Sequence, residues 1–347
     1  RMKAGISVFD PAVHVPACAY PVTVIPAVYR AWYEAIFKKG DRVPPPLDFT
    51  AAVILVPVAK TVTGTNLLDI VEIGQFDGHI QGFWSDGVRL VVQTDKTIYL
   101  DKQIVGPAPK NPVIGCAFTP KACRAVLVED ATPLKLTNLT DRADVPFMLS
   151  TKQAVTHEGL IYARTPERIQ EVLLTDAGSQ VVASTKEAVQ TLEHATKLFP
   201  GVVLQNFLGA IHASLLLSSG TAMQIRVKEL DGYRILDAKF AGGVLMVVGE
   251  KKGVYDRFVF RSGGMGNYDT RVVKDIQPTG LNFVVLDTGV CVCMNEDEKL
   301  ELFAARMGST ALKTVDDPML SGDMKLGKMG GQVVFARGDK LYKLRMK

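Results

Sequence analysis

The apolar positions of this chain repeat in a recognisable way. Gly82–Leu100, Gly115–Leu139, Met148–Asp176, Gln205–Leu230, Asp237–Ser262, Leu281–Arg306 and Asp323–Lys347 each read as an apolar strand, a turn and a second strand. The second strand often alternates with polar residues, the mark of a half-buried strand. Ser-Asp-Gly at 85–87, Lys-Lys-Gly at 251–253, Asp-Thr-Gly at 287–289 and Arg-Gly-Asp at 337–339 supply turn residues that tolerate positive φ. Leu281–Phe303 shows the unit most plainly, as strand, turn, strand, turn, strand. Seven such units, mostly about 33–45 residues apart, are what a β-propeller needs, because one small twisted sheet buries its faces only by stacking on neighbours. The pattern predicts an all-β, seven-bladed propeller over residues 51–347, with six or eight blades left open. The Gly-His and Trp-Asp signatures of WD40 blades are missing, and the repeats match no named propeller family.

Two further segments bear on how the ring is built. Leu67–Ile73 (LLDIVEI) is placed to pair beside Gly331–Lys347, which closes the ring and covers an edge open to aggregation. Ser184–Leu198 follows the third unit and carries helix-capping residues, so a helical insertion is favoured there over an outer strand with a long loop.

Residues 1–50 have a different texture. Arg1–Pro26 is irregular and proline-punctuated, and Pro26–Phe37 predicts a short helix with Val28, Trp32, Ala35 and Ile36 on one face, ended by Gly40. Pro44-Pro45-Pro46 forms a stiff connector. Ala52–Val58 and Leu67–Ile73 then read as strands joined by the turn-rich Thr61–Asn66. The chain begins at Arg1 rather than at methionine, which suggests the excised end of a longer protein.

Gly5-Ile6-Ser7-Val8-Phe9, Tyr20-Pro21, the helix from Pro26 and Lys39-Gly40-Asp41-Arg42-Val43-Pro44-Pro45 together carry a resemblance. Residues 1–47 resemble the end of a bacterial protein-kinase-like catalytic domain, where a helix is followed by a loop of the form G-x-R-x-x-P. The resemblance implies that Arg42 matches the arginine that anchors the back of the kinase C-lobe. It also implies that the propeller is the regulatory or targeting part of a kinase-like protein. This chain has no Gly-rich nucleotide loop, no H-R-D-type catalytic loop and no D-F-G-type metal site, so it lacks the parts that transfer phosphate.

Composition narrows the function classes. Of 347 residues 47% are apolar, ample for a packed core, and the net charge of +4 is too small to imply a nucleic-acid partner alone. The charge is uneven: Ser321–Lys347 holds seven Lys or Arg against Asp323 and Asp339. A nucleic-acid contact through this basic last blade is the lesser alternative to a solvated strand face. Five cysteines in no framework spacing point to reduced thiols and a cytoplasmic protein, and Cys291 and Cys293 alternate so as to pack on one side of a strand. No run is long enough to span a membrane.

Candidate chemistry is sparse. The five histidines are scattered, with no H-x-x-x-H, no C-x-x-C and no G-x-S-x-G, so neither a metal nor a cofactor is expected. Asp86, Asp130, Asp176 and Asp287 read as turn formers rather than a calcium ring. Ser262–Gly266 reads as a long inter-strand loop. Lys252, Tyr255, Arg257, Tyr268 and Arg271 combine the residue types of interface hot spots, and Trp84 joins them as a partner-binding candidate. The resulting expectation is a non-catalytic propeller that binds a protein partner. The alternative is a hydrolase or lyase in the central channel, which requires three or more carboxylates or histidines to meet there.

Overall fold

A computed structural model describes residues 25, 27–42, 44, 53–54, 58–63, 68–121, 123–178, 180–217, 222–264 and 266–346. Seven sheets follow one another as blades of a β-propeller, spanning 80–107, 113–144, 153–190, 196–226, 234–273, 283–316 and 325–346. Within a blade the strands pair antiparallel in chain order, as hairpin turns require. The first strands are Ile80–Ser85, Val113–Phe118, Gln153–His157, Thr196–Phe199, Arg234–Ala241, Phe283–Val285 and Lys325–Met329. They converge on the axis, and neighbouring first strands touch around most of the ring.

The core explains why seven weakly similar units fold together. There are seven apolar clusters, one at each joint between blades. In blade 2, Val126 and Val128 pack toward blade 3, while Ala125 and Leu127 pack toward blade 1. In blade 5, Phe258 and Phe260 pack toward blade 4, and Val259 packs toward blade 6. The middle strands are therefore buried on both faces and read as near-continuous apolar runs. Cys291 and Cys293 lie buried in the joint of blades 5 and 6 as free thiols, on one side of their strand as the alternation predicted.

The N-terminal part of the chain completes the ring. Strand β3 (Leu68–Gln75) pairs antiparallel with Lys340–Met346 as the fourth strand of blade 7, setting Ile70 opposite Leu344 and Gln75 opposite Lys340. Leu68 and Leu344 are buried together in the joint of blades 6 and 7. Lys340 pairs with Glu72 at 2.8 Å, so the basic last strand is covered by an acidic one rather than left as a solvated edge. Two earlier strands, β1 (Val53–Ile54) and β2 (Val58–Thr63), add parallel fifth strands to the outer edges of blades 5 and 6. The single strand expected over Ala52–Val58 is thus split, and the segment expected to turn at Thr61 is still extended through Thr63.

Two other expectations change. Ser184–Leu198 holds no helix: Gln180–Gln190 is the outer strand of blade 3, and Thr196 opens blade 4. That strand is mostly exposed, so it lacks the period-2 burial that marks the inner strands. Ser262–Gly266 is no long loop, because the third strand of blade 5, Val254–Gly264, runs into it and the fourth resumes at Asn267. Ahead of the propeller, a helix over Ala27–Glu34 widens into a π turn at Ala35–Lys39 and ends at Gly40 with φ 74°. Residues 1–24, Pro45, Pro46 and Cys18 lie outside the described residues.

Candidate functional site on the connection face

The residues singled out from the sequence do not form one surface. Arg257 is only 2% exposed and belongs to the joint between blades 5 and 6. Its guanidinium lies 3.0 Å from Glu296 and 2.9 Å from Glu301, and donates to the Cys293 sulfur at 3.2 Å. Arg271 grips the other oxygen of Glu301 at 2.6 Å and stacks over Phe303. Tyr268 is buried between blades 4 and 5, where its hydroxyl lies 2.9 Å from the Glu229 carboxylate and 3.2 Å from the Arg226 carbonyl. Trp84 is half-buried on the first strand of blade 1 and packs into the joint with blade 2. Arg257 and Tyr268 are therefore fastenings between blades and are withdrawn from any partner. Lys252 stays exposed on a hairpin turn, and Tyr255 is half-buried just after it.

Strand order fixes what each face of the disc carries. Every first strand starts at one face, so the connections between blades and the turns from second to third strand lie there together. This is the connection face; the other face carries the turns from first to second and third to fourth strands. Twelve large apolar side chains are exposed among the described residues, and seven lie on the connection face: Met148, Leu192, Phe207, Leu208, Leu236, Val254 and Met319. Val88 and Ile104 lie on the opposite face. Leu208 is the most exposed, on a blade-4 turn with φ 51°. That turn is held in shape: the Gly209 N–H donates to Asn206 at 2.7 Å, and the Phe207 ring meets His212 edge-on at 5.2 Å. An apolar tip on a rigid turn costs little ordering entropy when it meets a partner.

Side chains of the first strands also reach from one blade to the next around the channel. Lys197 donates to the Ile235 carbonyl at 2.7 Å, Lys239 to the Phe283 carbonyl at 2.7 Å, and Lys325 to the Gln81 carbonyl at 2.6 Å. Each lysine is on a first strand, and each carbonyl is in the first two residues of the next blade's first strand. The three ammonium groups do not share a level: Lys197 reaches the second residue of Arg234–Ala241, whereas Lys239 is the sixth residue of that strand, nearer the opposite face. Gln153 makes the same reach to the Leu198 carbonyl at 2.9 Å, and Asn282 to the Met324 carbonyl at 2.6 Å. These side-chain bonds stitch five of the seven joints.

The first strands carry more cations than anions, although Arg234 pairs with Glu250 at 3.0 Å and Lys328 with Asp287 at 2.8 Å. The first strands hold Lys197, Arg234, Lys239, Lys325 and Lys328 against Asp237, a balance of five less one, or +4. That equals the net charge of the entire chain, +4. Burial lowers the Lys239 and Lys325 amines from the ordinary 10.5, and Lys239 also lies over the Phe283 ring at 4.9 Å. His157, the one histidine on these strands, is buried, and burial pushes its pKa down, with Lys239 adding to the effect. No three His, Cys, Asp or Glu converge among the described residues. Asp86 shapes a turn by accepting the backbone N–H groups of Val88 and Arg89, as the sequence suggested.

No local motif announces these side-chain bonds, because each joins residues of two blades, but a signal did exist. Lys197, Lys239 and Lys325 each fall within the first strand of a repeat unit, where surrounding residues are apolar.

No protein-family model matches this chain, and no curated protein does. Solved structures do match. Virginiamycin B lyase from Staphylococcus aureus superposes with a TM-score of 0.50 at 13% identity, over 81% of this chain and 99% of that one. A chain in the S. cerevisiae assembly of Dbp5 with Nup159 and Gle1 gives 0.50 at 8% identity, over 85% and 100%. The WD40 repeats of RRP9 give 0.47 at 8% identity, over 80% and 98%. At these identities the likeness is one of fold, a β-propeller.

Proposed function

We propose that this chain is a non-catalytic interaction propeller that holds a protein partner against its connection face. The observation that carries this reading is the placement of seven exposed large apolar residues on that face, on turns and connections held by a rigid ring. Exposed apolar groups gathered on one side mark binding surfaces more often than scattered ones do. Against a hydrolase or lyase in the channel stands the make-up of the first strands, which contribute one carboxylate, Asp237, and one histidine, His157. Asp237 is already engaged, accepting the Leu281 N–H at 2.9 Å.

The test is affinity capture from source-cell lysate, with nuclease present, using three forms of the protein. The connection-face variant carries Met148→Asp and Leu208→Asp, and the opposite-face variant carries Val88→Asp and Ile104→Asp. A protein retained by wild type and the opposite-face variant, and lost from the connection-face variant, supports the reading. Equal capture by all three forms refutes it.

The association with a kinase-like protein belongs to the same proposal. Its support is the sequence resemblance of residues 1–47, in which Arg42, exposed after the helix closed by Gly40, matches the arginine that anchors a kinase C-lobe. Sequencing the transcript that carries this chain checks it. A reading frame with no kinase-like fold ahead of the propeller removes this part and leaves the interaction module standing.

A further inference from the structure

Each blade ends in an outer strand whose far edge carries main-chain N–H and C=O groups open to another strand, and such edges are usually blunted. Most of them are blunted here. Blade 1 ends in Gln103–Pro107, which closes on a proline, and blade 2 in the short pair Ala143–Asp144. Blade 4 ends in the short strand Ala222–Arg226, and blade 5 in Val53–Ile54. Blade 6 ends in β2, which holds Lys60; blade 7 ends in β3, which holds Asp69 and Glu72 and shifts its pairing between Glu72 and Gly74.

Blade 3 differs. Its outer strand, Gln180–Gln190, is 11 residues long, and among the described residues no strand pairs with its far side. Gln180–Thr185 holds no charge and no proline. Its pairing with the preceding strand runs unbroken from Gln180 to Glu187 and skips only Ala188. The strand is also firmly held. Val181 is 3% exposed and packs with Val126 and Val128 of blade 2. Arg124 of that blade donates to the Gly178 carbonyl at 3.0 Å, at the tip of the hairpin. On the strand's other face Val182 is 41% exposed, with Ser184 exposed beside it.

We propose that this edge is a homodimer contact, in which Gln180–Glu187 pairs antiparallel with the same strand of a second copy of this chain. Identical edges meet in this way about a two-fold axis, and the contact closes at two copies because each edge is then occupied. With Ala183 on the axis, Val181 lies opposite the partner's Thr185, and Gln180 opposite the partner's Lys186. The exposed Val182 lies diagonal to the partner's Val182, so the two cover each other. β-branched pairs favour such a ladder, and no like charges stand opposite in it. Charge also selects the occupant: a charged strand finds no counter-charge along Gln180–Thr185, whereas a second copy brings the same uncharged residues. The edge lies on the rim of the disc, so this contact leaves the connection face of each copy open.

Sedimentation velocity of the full chain from about 5 to 500 µM should show a reversible monomer–dimer equilibrium, since a contact this narrow falls at the weak end of interfaces. Val182→Lys sets two ammonium groups near each other across the axis and should raise the dissociation constant about tenfold or more. Ser184→Lys, opposite the partner's Val182, should do the same. Val88→Lys, at an exposed turn of blade 1, is the control and should dimerise as wild type does. Hydrogen exchange of the wild-type chain at both ends of the concentration range reads the contact without any variant. Main-chain protection that rises with concentration within 180–187 supports the proposal. Three results overturn it: a chain that stays monomeric throughout, a dimer that both lysine variants leave intact, or concentration-dependent protection confined to other segments.

Discussion

Replacing Glu301 by Gln is the sharpest perturbation of this propeller. The glutamate is 9% exposed at its side chain and divides its two oxygens between Arg257, at 2.9 Å and 2% exposed, and Arg271, at 2.6 Å and 14% exposed. Gln keeps the shape but removes the charge, leaving two guanidinium groups with Glu296 as their remaining anion. Removing one partner of a buried pair costs about 3–5 kcal/mol, because the other charge stays buried. Gln can still accept one hydrogen bond, so the lower end, about 3 kcal/mol, is expected. Thermal unfolding followed by circular dichroism then shows a midpoint lowered by about 4–5 °C. The pH dependence adds a second reading. Burial pushes the Glu301 carboxyl up, but Arg257 and Arg271 together overcome this and hold it below its ordinary 4.5. A carboxyl depressed in the folded state contributes stability above that ordinary value and loses it as pH falls through the depressed one. The gap between wild type and E301Q is therefore full at neutral pH and shrinks below about pH 4.5. A loss under about 1 kcal/mol at pH 7, the size of an exposed ion pair, refutes the claim that this network fastens blades 5 and 6.

Three further outcomes follow from the joints. Tyr268→Phe takes a hydroxyl donor from Glu229 between blades 4 and 5 and should cost about 1–2 kcal/mol in urea unfolding. Gly201→Ala meets two obstacles at once, a φ of 77° and a Cβ placed 2.4 Å from the Phe240 carbonyl oxygen, so a loss of about 1–3 kcal/mol is expected by the same assay. Removing residues 1–75 strips β3 from blade 7 and bares the Lys340–Met346 edge; size-exclusion chromatography should then show aggregates, and a monomeric, fully folded product refutes the closure role.

The ring was legible because its inner strands carry two signals at once. Each lies among near-continuous apolar residues, and each is bounded by a turn that demands Gly or Asp. Closure was legible for the same reason, since LLDIVEI pairs an apolar face with acids that meet the basic last strand. Outer strands carry neither signal. Gln180–Gln190 buries little, so its Ser, Thr, Lys and Glu read as a helix cap and a solvated helix face. The fastening residues were misread for a different reason. Arg and Tyr are the types found at interface hot spots, and composition alone cannot tell an interface between proteins from one between blades.

Parity along the strand could have told them apart. Arg257, Val259 and Arg261 share one face of the third strand of blade 5, and Phe258 and Phe260 share the other. In a propeller an interior strand has a neighbouring blade on each side, so both faces must be buried. The arginines were thus bound to enter a joint and to require acids there. Arg257 finds Glu296 and Glu301 in blade 6, and Arg261 finds Asp269 within its own blade through two bonds of 2.8 and 2.7 Å. Arg261 also donates to the Ala304 carbonyl of blade 6 at 3.1 Å, and Gly308 returns an N–H to Asp269. A charge on a middle strand must therefore be matched within the protein.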